Sequence, residues 1–271
     1  MTLSVVIITY NEEANIGRTL ESVQPLLHDP RGDPGGDDVI VVDSGSTDRT
    51  VDIATSFGAR VFVEDWKGYA AQKNCAIERA SGRWILSLDA DEALSPELVQ
   101  EIRKAIAHQD GLRFKAPSDS PQFVDGFAIP RKNFFMHRWI KHGGFYPDRK
   151  VRLFLRGKGR FGMRPVHETA HIDGRSENLH APIVHHSYPT LSDFLDHMNR
   201  YSSLGAEMVV AKGPARFSVI NIVLRPWLTF IYNYFFRLGF LDGREGLLLH
   251  LYHAVYVSWK YAKAWELGRQ K

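Results

Sequence analysis

Over the first hundred residues, short β-branched apolar runs alternate with stretches whose apolar positions recur at the helical period. Residues 4–9 (SVVIIT) form a run without charge, as a strand buried on both faces requires, and 39–42 (VIVV), 60–63 and 84–88 (WILSL) repeat it. Between these runs, Ile16, Leu20 and Val23 fall at i, i+4 and i+7. Val51, Ala54 and Phe57 share one face of a helical segment over 47–57, and 69–80 again reads as helix. Ser95-Pro96-Glu97 then opens a helix, with proline in the first turn and a carboxylate near the positive end of the dipole. Strand and helix in this order predict βαβ units, hence an α/β fold with a mainly parallel central sheet flanked by helices. The Gly/Pro/Asp-rich stretch over 29–38 predicts a surface loop.

From about Gly111 the alternation stops, and short strands, glycines and basic residues take over. The pattern predicts three stretches: 1–110 as an α/β half, 111–211 as a second lobe of the same domain, and 212–271 as a helical extension. Within the extension, 218–236 is rich in Ile, Leu, Phe, Trp and Tyr but is interrupted by Asn221, Arg225, Pro226 and Asn233, and 247–259 contains His250 and His253. Neither stretch is the run of ~20 apolar residues that crossing a bilayer requires. Basic and aromatic residues mixed into amphipathic helices instead suit a hairpin lying in a membrane interface, turning at Leu241-Asp242-Gly243. Packing of the same helices on the domain or on a partner chain satisfies the pattern equally.

Composition adds two constraints. A chain of 271 residues with 44% hydrophobic side chains can bury one large core. Its single cysteine, Cys75, cannot form an internal disulfide. With no basic start followed by an apolar run and a cleavage site, this predicts a cytoplasmic location, peripheral on the inner face of the membrane. The net charge of +3 conceals segregation. Residues 1–130 carry 12 basic and 21 acidic side chains, whereas 131–164 carry 11 basic side chains and only Asp148 as acid. Residues 212–271 carry 9 basic and 3 acidic side chains. Blocks of this density either attract anions or remain a solvated face.

Candidate chemistry lies at the strand ends. Leu88-Asp89-Ala90-Asp91-Glu92 follows a strand directly, and carboxylates crowded beside a core call for a cation. A hard divalent ion such as Mg²⁺ or Mn²⁺ takes carboxylate oxygens and leaves positions for phosphate oxygens. Thr9-Tyr10-Asn11-Glu12-Glu13 follows the first strand, and Asp43-Ser44-Gly45-Ser46-Thr47-Asp48 the second. Asp43 can accept from the imide N–H of a uracil, and Tyr10 can stack on a base. Structural readings compete for some of these residues: Asn11 as cap of the first helix, Ser46 or Asp48 as cap of the next.

Taken together, SVVIITYNEE, VVDSGSTDRT, AAQKNCAIERASG and WILSLDADE resemble, in order and spacing, the family two glycosyltransferases of the GT-A fold. The later series His142-Gly143-Gly144-Phe145-Tyr146-Pro147-Asp148, Val151-Arg152-Leu153-Phe154, Val166-His167-Glu168 and His185-His186-Ser187-Tyr188 is similar to the branch of lipopolysaccharide inner-core β-glucosyltransferases. The resemblance implies an inverting, metal-dependent hexosyltransferase. UDP-glucose is the implied donor, and an anionic glycolipid at a membrane surface the implied acceptor. It implies donor contacts at Thr9, Tyr10, Asn11, Glu13, Asp43, Lys73 and Asp89. It places Mg²⁺ or Mn²⁺ at Asp89 and Asp91, with His185 either completing the coordination or acting as a hydrogen-bonded structural histidine. Glu168 is the implied general base, with Asp148 as the second candidate; either can instead be a salt-bridge partner of the surrounding arginines. A polyprenyl-phosphate acceptor, or a phosphohydrolase or phosphotransferase using Asp89 as nucleophile, remain as alternatives. Nucleic acid is not an expected partner, since no recognition helix, zinc spacing or aromatic sheet motif is present.

Overall fold

The computed structural model describes residues 2–27, 38–113, 122–162 and 169–269. The loop expected over 29–38 therefore lies, except for Asp38, outside the described residues. Inter-residue contacts group the chain into two units. The first holds the described residues within 1–131, 149–164 and 168–185, and the second those within 132–148 and 186–271.

In the first unit the expected βαβ units appear. Strands β1 (Leu3–Thr9), β2 (Asp38–Asp43), β3 (Arg60–Val63) and β4 (Trp84–Asp89) alternate with helices α1 (Ile16–Leu27), α2 (Thr50–Ser56) and α3 (Tyr69–Glu78). They stand in the order β3-β2-β1-β4, all parallel, with β1 buried at each of its seven positions. Register sets the strand ends level: Thr9 pairs with Asp43, and Ile8 with Asp89. Helix α2 starts three residues later than its apolar period suggests. The intervening residues 44–49 are held in a loop by the carboxylates of Asp43 and Asp48, which leaves them unavailable for helix.

Beyond β4 the sheet is mixed, not parallel. β5 (Glu92–Leu94) and helix α4 (Pro96–Arg113) come next, then β6 (Gly126–Phe135), β7 (Arg138–Trp139) and β8 (Asp148–Leu155). β9 (Gly159–Phe161), β10 (Ala170–Ile172), β11 (Ser176–Asn178) and β12 (Ile183–Tyr188) complete the strands. β8 runs antiparallel to β4 with Leu153 opposite Leu86, and β12 antiparallel to β5 with His185 opposite Glu92. Side chains alternate between two apolar layers: Val5, Ile7, Val41 and Leu86 pack on one face, and Val6, Ile40, Val42 and Ile85 on the other.

The second unit is mostly helical. Helix α5 (Leu191–Ala211) begins at a capping box in which Thr190 and Asp193 satisfy each other's backbone donors. A helical segment follows in which α6 (Arg225–Ile231) is flanked by π-helical turns over Ile220–Leu224 and Tyr232–Phe236. A 3₁₀ turn at Gly239–Asp242 leads into α7 (Gly243–Gly268), so the chain reverses where the sequence places the hairpin. Phe135, Ile140, Phe194 and Leu249 form the centre of this unit's core. No described helix is long and apolar enough to cross a membrane.

Candidate active site

The D-x-D segment is the tight turn from β4 into β5. Its middle carbonyl, Ala90 O, accepts the Thr19 hydroxyl of α1 at 2.7 Å, and the Asp89 N–H donates to Glu92 Oε2 at 3.0 Å. The turn is thus fixed at both its helix side and its strand side.

Asp89 does not lack cations. Lys73 Nζ, from α3, lies 2.8 Å from its Oδ1, and Arg152 Nη2, from β8, lies 2.7 Å from its Oδ2. The same Arg152 nitrogen reaches Glu92 Oε1 at 2.7 Å, and Arg131 approaches that oxygen at 3.3 Å. Burial works to raise the Asp89 pKa, but the Arg152 and Lys73 charges hold it well below the usual carboxylate range. Asp89 thus has its charge offset by protein cations in this structure. Side chains from α3 and β8, remote in sequence, already neutralise it.

Asp91 is placed differently. Antiparallel pairing of β12 with β5 brings His185 Nε2 to 3.2 Å from Asp91 Oδ2. Burial pushes Asp91 up while the facing His185 pulls it down, and the net direction is down. A carboxylate and an imidazole at this spacing fit two positions of a hard divalent ion whose remaining positions go to water and phosphate oxygens. Among the described residues no three or more His, Cys, Asp or Glu gather into a metal cage. The donor set therefore fits a shared ion and not a protein-only site.

At the ends of β1 and β2 the loops are laced together. Asn11, with φ of 54°, donates its N–H to Ser46 Oγ at 2.8 Å and accepts the Thr47 N–H on its side-chain oxygen at 2.8 Å. It bridges the loops and does not cap α1. Glu13 accepts the Arg49 N–H at 3.0 Å, and Asp48 accepts the N–H groups of Glu13 and Thr50. Asp43 is fully buried. Its Oδ2 accepts the N–H groups of Gly45 and Ser46 at 2.8 and 2.7 Å, and its Oδ1 accepts the Ser46 hydroxyl. It shares the strand-end level with Asp89 but turns into its own loop and leaves no exposed oxygen for a base. Tyr10, 56% exposed, stands free for stacking, and the buried Thr9 hydroxyl has no partner among the described residues.

Of the remaining expected residues, Asp148 opens β8 and is half-buried in the second unit. Glu168 lies outside the described residues. Four residues that the sequence reading passed over belong to the cluster. Arg152 carried a signal, as a charge inside the buried run VRLFL, and Glu92 is the third acid of DADE. Arg131 carried none. Glu12 is raised to about 7 by burial, opposed by its Asn15 hydrogen bond and reinforced by the charges of Asp91, Asp48 and Asp89. Of the basic block over 131–164, Arg152 is buried and Arg131 half-buried, Arg138 pairs with Glu245, Arg149 donates to Leu179 O, and Lys132 and Lys141 lie over Trp139, while Arg156, Lys158 and Arg160 stay exposed.

An α/β sheet whose parallel strands β1, β2 and β4 end in loop hydroxyls, an acidic turn and two buried cations has the architecture of an enzyme that handles anionic nucleotides at the carboxyl edge of its sheet. The Glycosyl transferase family 2 model matches residues 4–160, and the chain belongs to that family of glycosyltransferases. It is 28% identical over 98% of its length, and 93% of the relative's, to the lipopolysaccharide core biosynthesis glycosyltransferase LpsC of Rhizobium meliloti. It is 31% identical over 98% of its length, and 87% of the relative's, to an uncharacterized glycosyltransferase of Rickettsia typhi. Among solved structures it resembles the mannosyltransferase PcManGT of Pyrobaculum calidifontis, in complex with GDP-Man and Mn²⁺. That match has a TM-score of 0.51 at 14% identity over 97% of this chain and 86% of the other. The likeness bears out the GT-A fold expected from the sequence.

Proposed function

We propose that this glycosyltransferase moves a hexose, with inversion, from UDP-glucose to a hydroxyl of the lipopolysaccharide core or a related envelope glycan on the inner face of the cytoplasmic membrane. The observation that carries the reading is the strand-end cluster in which Asp89 is clamped by Lys73 and Arg152 while Asp91 faces His185. The likeness to LpsC over almost the whole chain supports the acceptor class.

In this reading residues 1–110 hold the donor, 111–211 supply acceptor and catalytic groups, and 212–271 lie at the membrane. Tyr10 stacks on the base, and Thr9, whose hydroxyl is buried, ends the strand that carries it. Asn11, Glu13 and Asp43 shape the two loops that border the nucleoside. Lys73 and Asp89 form the floor beneath the diphosphate. Asp91 and His185 hold Mg²⁺ or Mn²⁺, and the bound ion supplies positive charge to the departing nucleoside diphosphate. Glu168 takes the acceptor proton, with Asp148 the second candidate for that role.

The test is a panel of nucleotide sugars incubated without acceptor and scored for release of nucleoside diphosphate with Mn²⁺ or Mg²⁺. Slow release of UDP from UDP-glucose is expected; turnover of none of the panel would overturn the reading. With acceptor present, Glu168→Gln is expected to keep UDP binding and lose about 10²- to 10⁴-fold in transfer. Undiminished transfer removes Glu168 from the mechanism and moves the assignment to Asp148.

A further inference from the structure

Of the large apolar side chains exposed among the described residues, most fall between Phe217 and Leu251 in the second unit. Within the helical segment around α6 they follow a rule: adjacent exposed pairs begin at Val219, Val223, Trp227 and Phe235, and Tyr232 fills the one interval where a full pair is missing. The repeat is four residues. In an α-helix of 3.6 residues per turn, such a repeat drifts by about 40° each time and winds around the axis. Here two π-helical turns, closed by Arg225 N–H to Ile220 O and Arg237 N–H to Tyr232 O, take more residues per turn and cancel the drift. The pairs therefore stay in one row. The opposite side of the segment is occupied, with the Ser258 hydroxyl donating to Ile222 O and the Arg225 guanidinium bound to the Tyr261 hydroxyl.

We propose that this row is a membrane-docking surface, lying in the plane of an anionic bilayer with its apolar pairs below the headgroups. The inference rests on the membrane part of the reading above and deepens it by naming the surface. Charge selects the occupant. Between 212 and 241 the chain carries no acid: Lys212 and Arg216 precede the row and Arg237 follows it, all three exposed, while Arg225 is turned to Tyr261 on the occupied side. Cations flanking a Trp- and Phe-bearing row suit lipid phosphates beside acyl chains. A second copy docked through the same face would set arginine against arginine.

The probe is flotation of the full chain with vesicles of phosphatidylethanolamine and phosphatidylglycerol, compared with pure phosphatidylcholine. The protein is expected to float with the anionic vesicles. The combined variant Val223→Ser, Trp227→Ser, Phe236→Ser is expected to lose at least about tenfold in partitioning, with donor hydrolysis unchanged. In vesicles with brominated acyl tails, tryptophan quenching is expected in the parent and largely lost in Trp227→Phe, which keeps the surface apolar and does not depend on the triple variant folding. Three results would each overturn the proposal: no flotation of the parent, quenching unaltered in Trp227→Phe, or light scattering showing a parent dimer that the triple variant dissolves. Sugar transfer in solution that persists when flotation fails separates this outcome from a failure of the enzymatic reading.

Discussion

Arg152 sits in the middle of β8, 4% exposed, with one nitrogen shared between Asp89 and Glu92. A buried ion group of this kind contributes little net stability while intact, yet removing one partner strands the others. Arg152→Met is expected to cost about 3–5 kcal/mol in urea unfolding and to abolish donor hydrolysis; a loss of activity alone would assign Arg152 to chemistry and not to architecture. Glu12 makes a prediction of opposite character. Its carboxyl is raised from 4.5 to about 7, so the folded state holds the proton more tightly than the unfolded chain. The stability this provides is present below about pH 4.5 and lost as pH rises through 7. Glu12→Gln cannot titrate, and its stability relative to the parent is expected to improve by on the order of 2 kcal/mol between pH 5 and pH 8. An unchanged difference across that range would show that Glu12 ionises normally. The adjacent Glu13, favoured by the sequence, is engaged with Arg49, and nothing in the linear order of Asn11-Glu12-Glu13 tells which acid turns toward the D-x-D turn.

At the scale of elements, the 3₁₀ turn before α7 acts as a bracket. Asp242, nearly fully buried, accepts the Lys141 N–H at 3.2 Å, the His142 N–H at 2.8 Å and the His142 Nδ1 at 3.0 Å. Gly143 N–H donates to Arg237 O, and a side chain at Gly143, with φ of 65°, would collide with the His250 ring. The His142–Asp148 motif is thereby built on the turn between the π-helical segment and α7. Asp242→Ala leaves two backbone donors unpaired and is expected to destabilise by about 2–3 kcal/mol in denaturant unfolding. An effect below about 0.5 kcal/mol, the range of ordinary surface substitutions, would mean that the turn holds without it. The element pattern was legible because strands with uninterrupted apolar runs and helices with a clean period announce themselves. The late start of α2 and the π turns around α6 were not, since the first depends on side chains binding a loop and the second on which side of a helix finds a neighbour.

Across the whole molecule, charge is divided by sequence region: 1–130 carries 12 basic and 21 acidic side chains, against 9 and 3 over 212–271. Surface attraction to an anionic bilayer is screened over about 10 Å at 0.1 M salt and about 3 Å at 1 M, while contacts within a buried cluster are screened far less. Raising salt over that range is expected to reduce vesicle partitioning several-fold and to leave donor hydrolysis much closer to its starting value. Partitioning that ignores salt would leave the apolar row alone responsible for docking.

The order of strands and helices over the first hundred residues, the identity of the acidic turn and the turn of the C-terminal hairpin follow from sequence alone, because each rests on spacing between near neighbours. Which cation serves which carboxylate was decided only in three dimensions. Lys73, Arg131, Arg152 and His185 come from separate elements, and parallel and antiparallel pairing bring them to one turn. Asp43 shows the same division from the other side. Its place at a strand end could be read from the chain, but its direction could not, because local N–H donors captured its carboxylate.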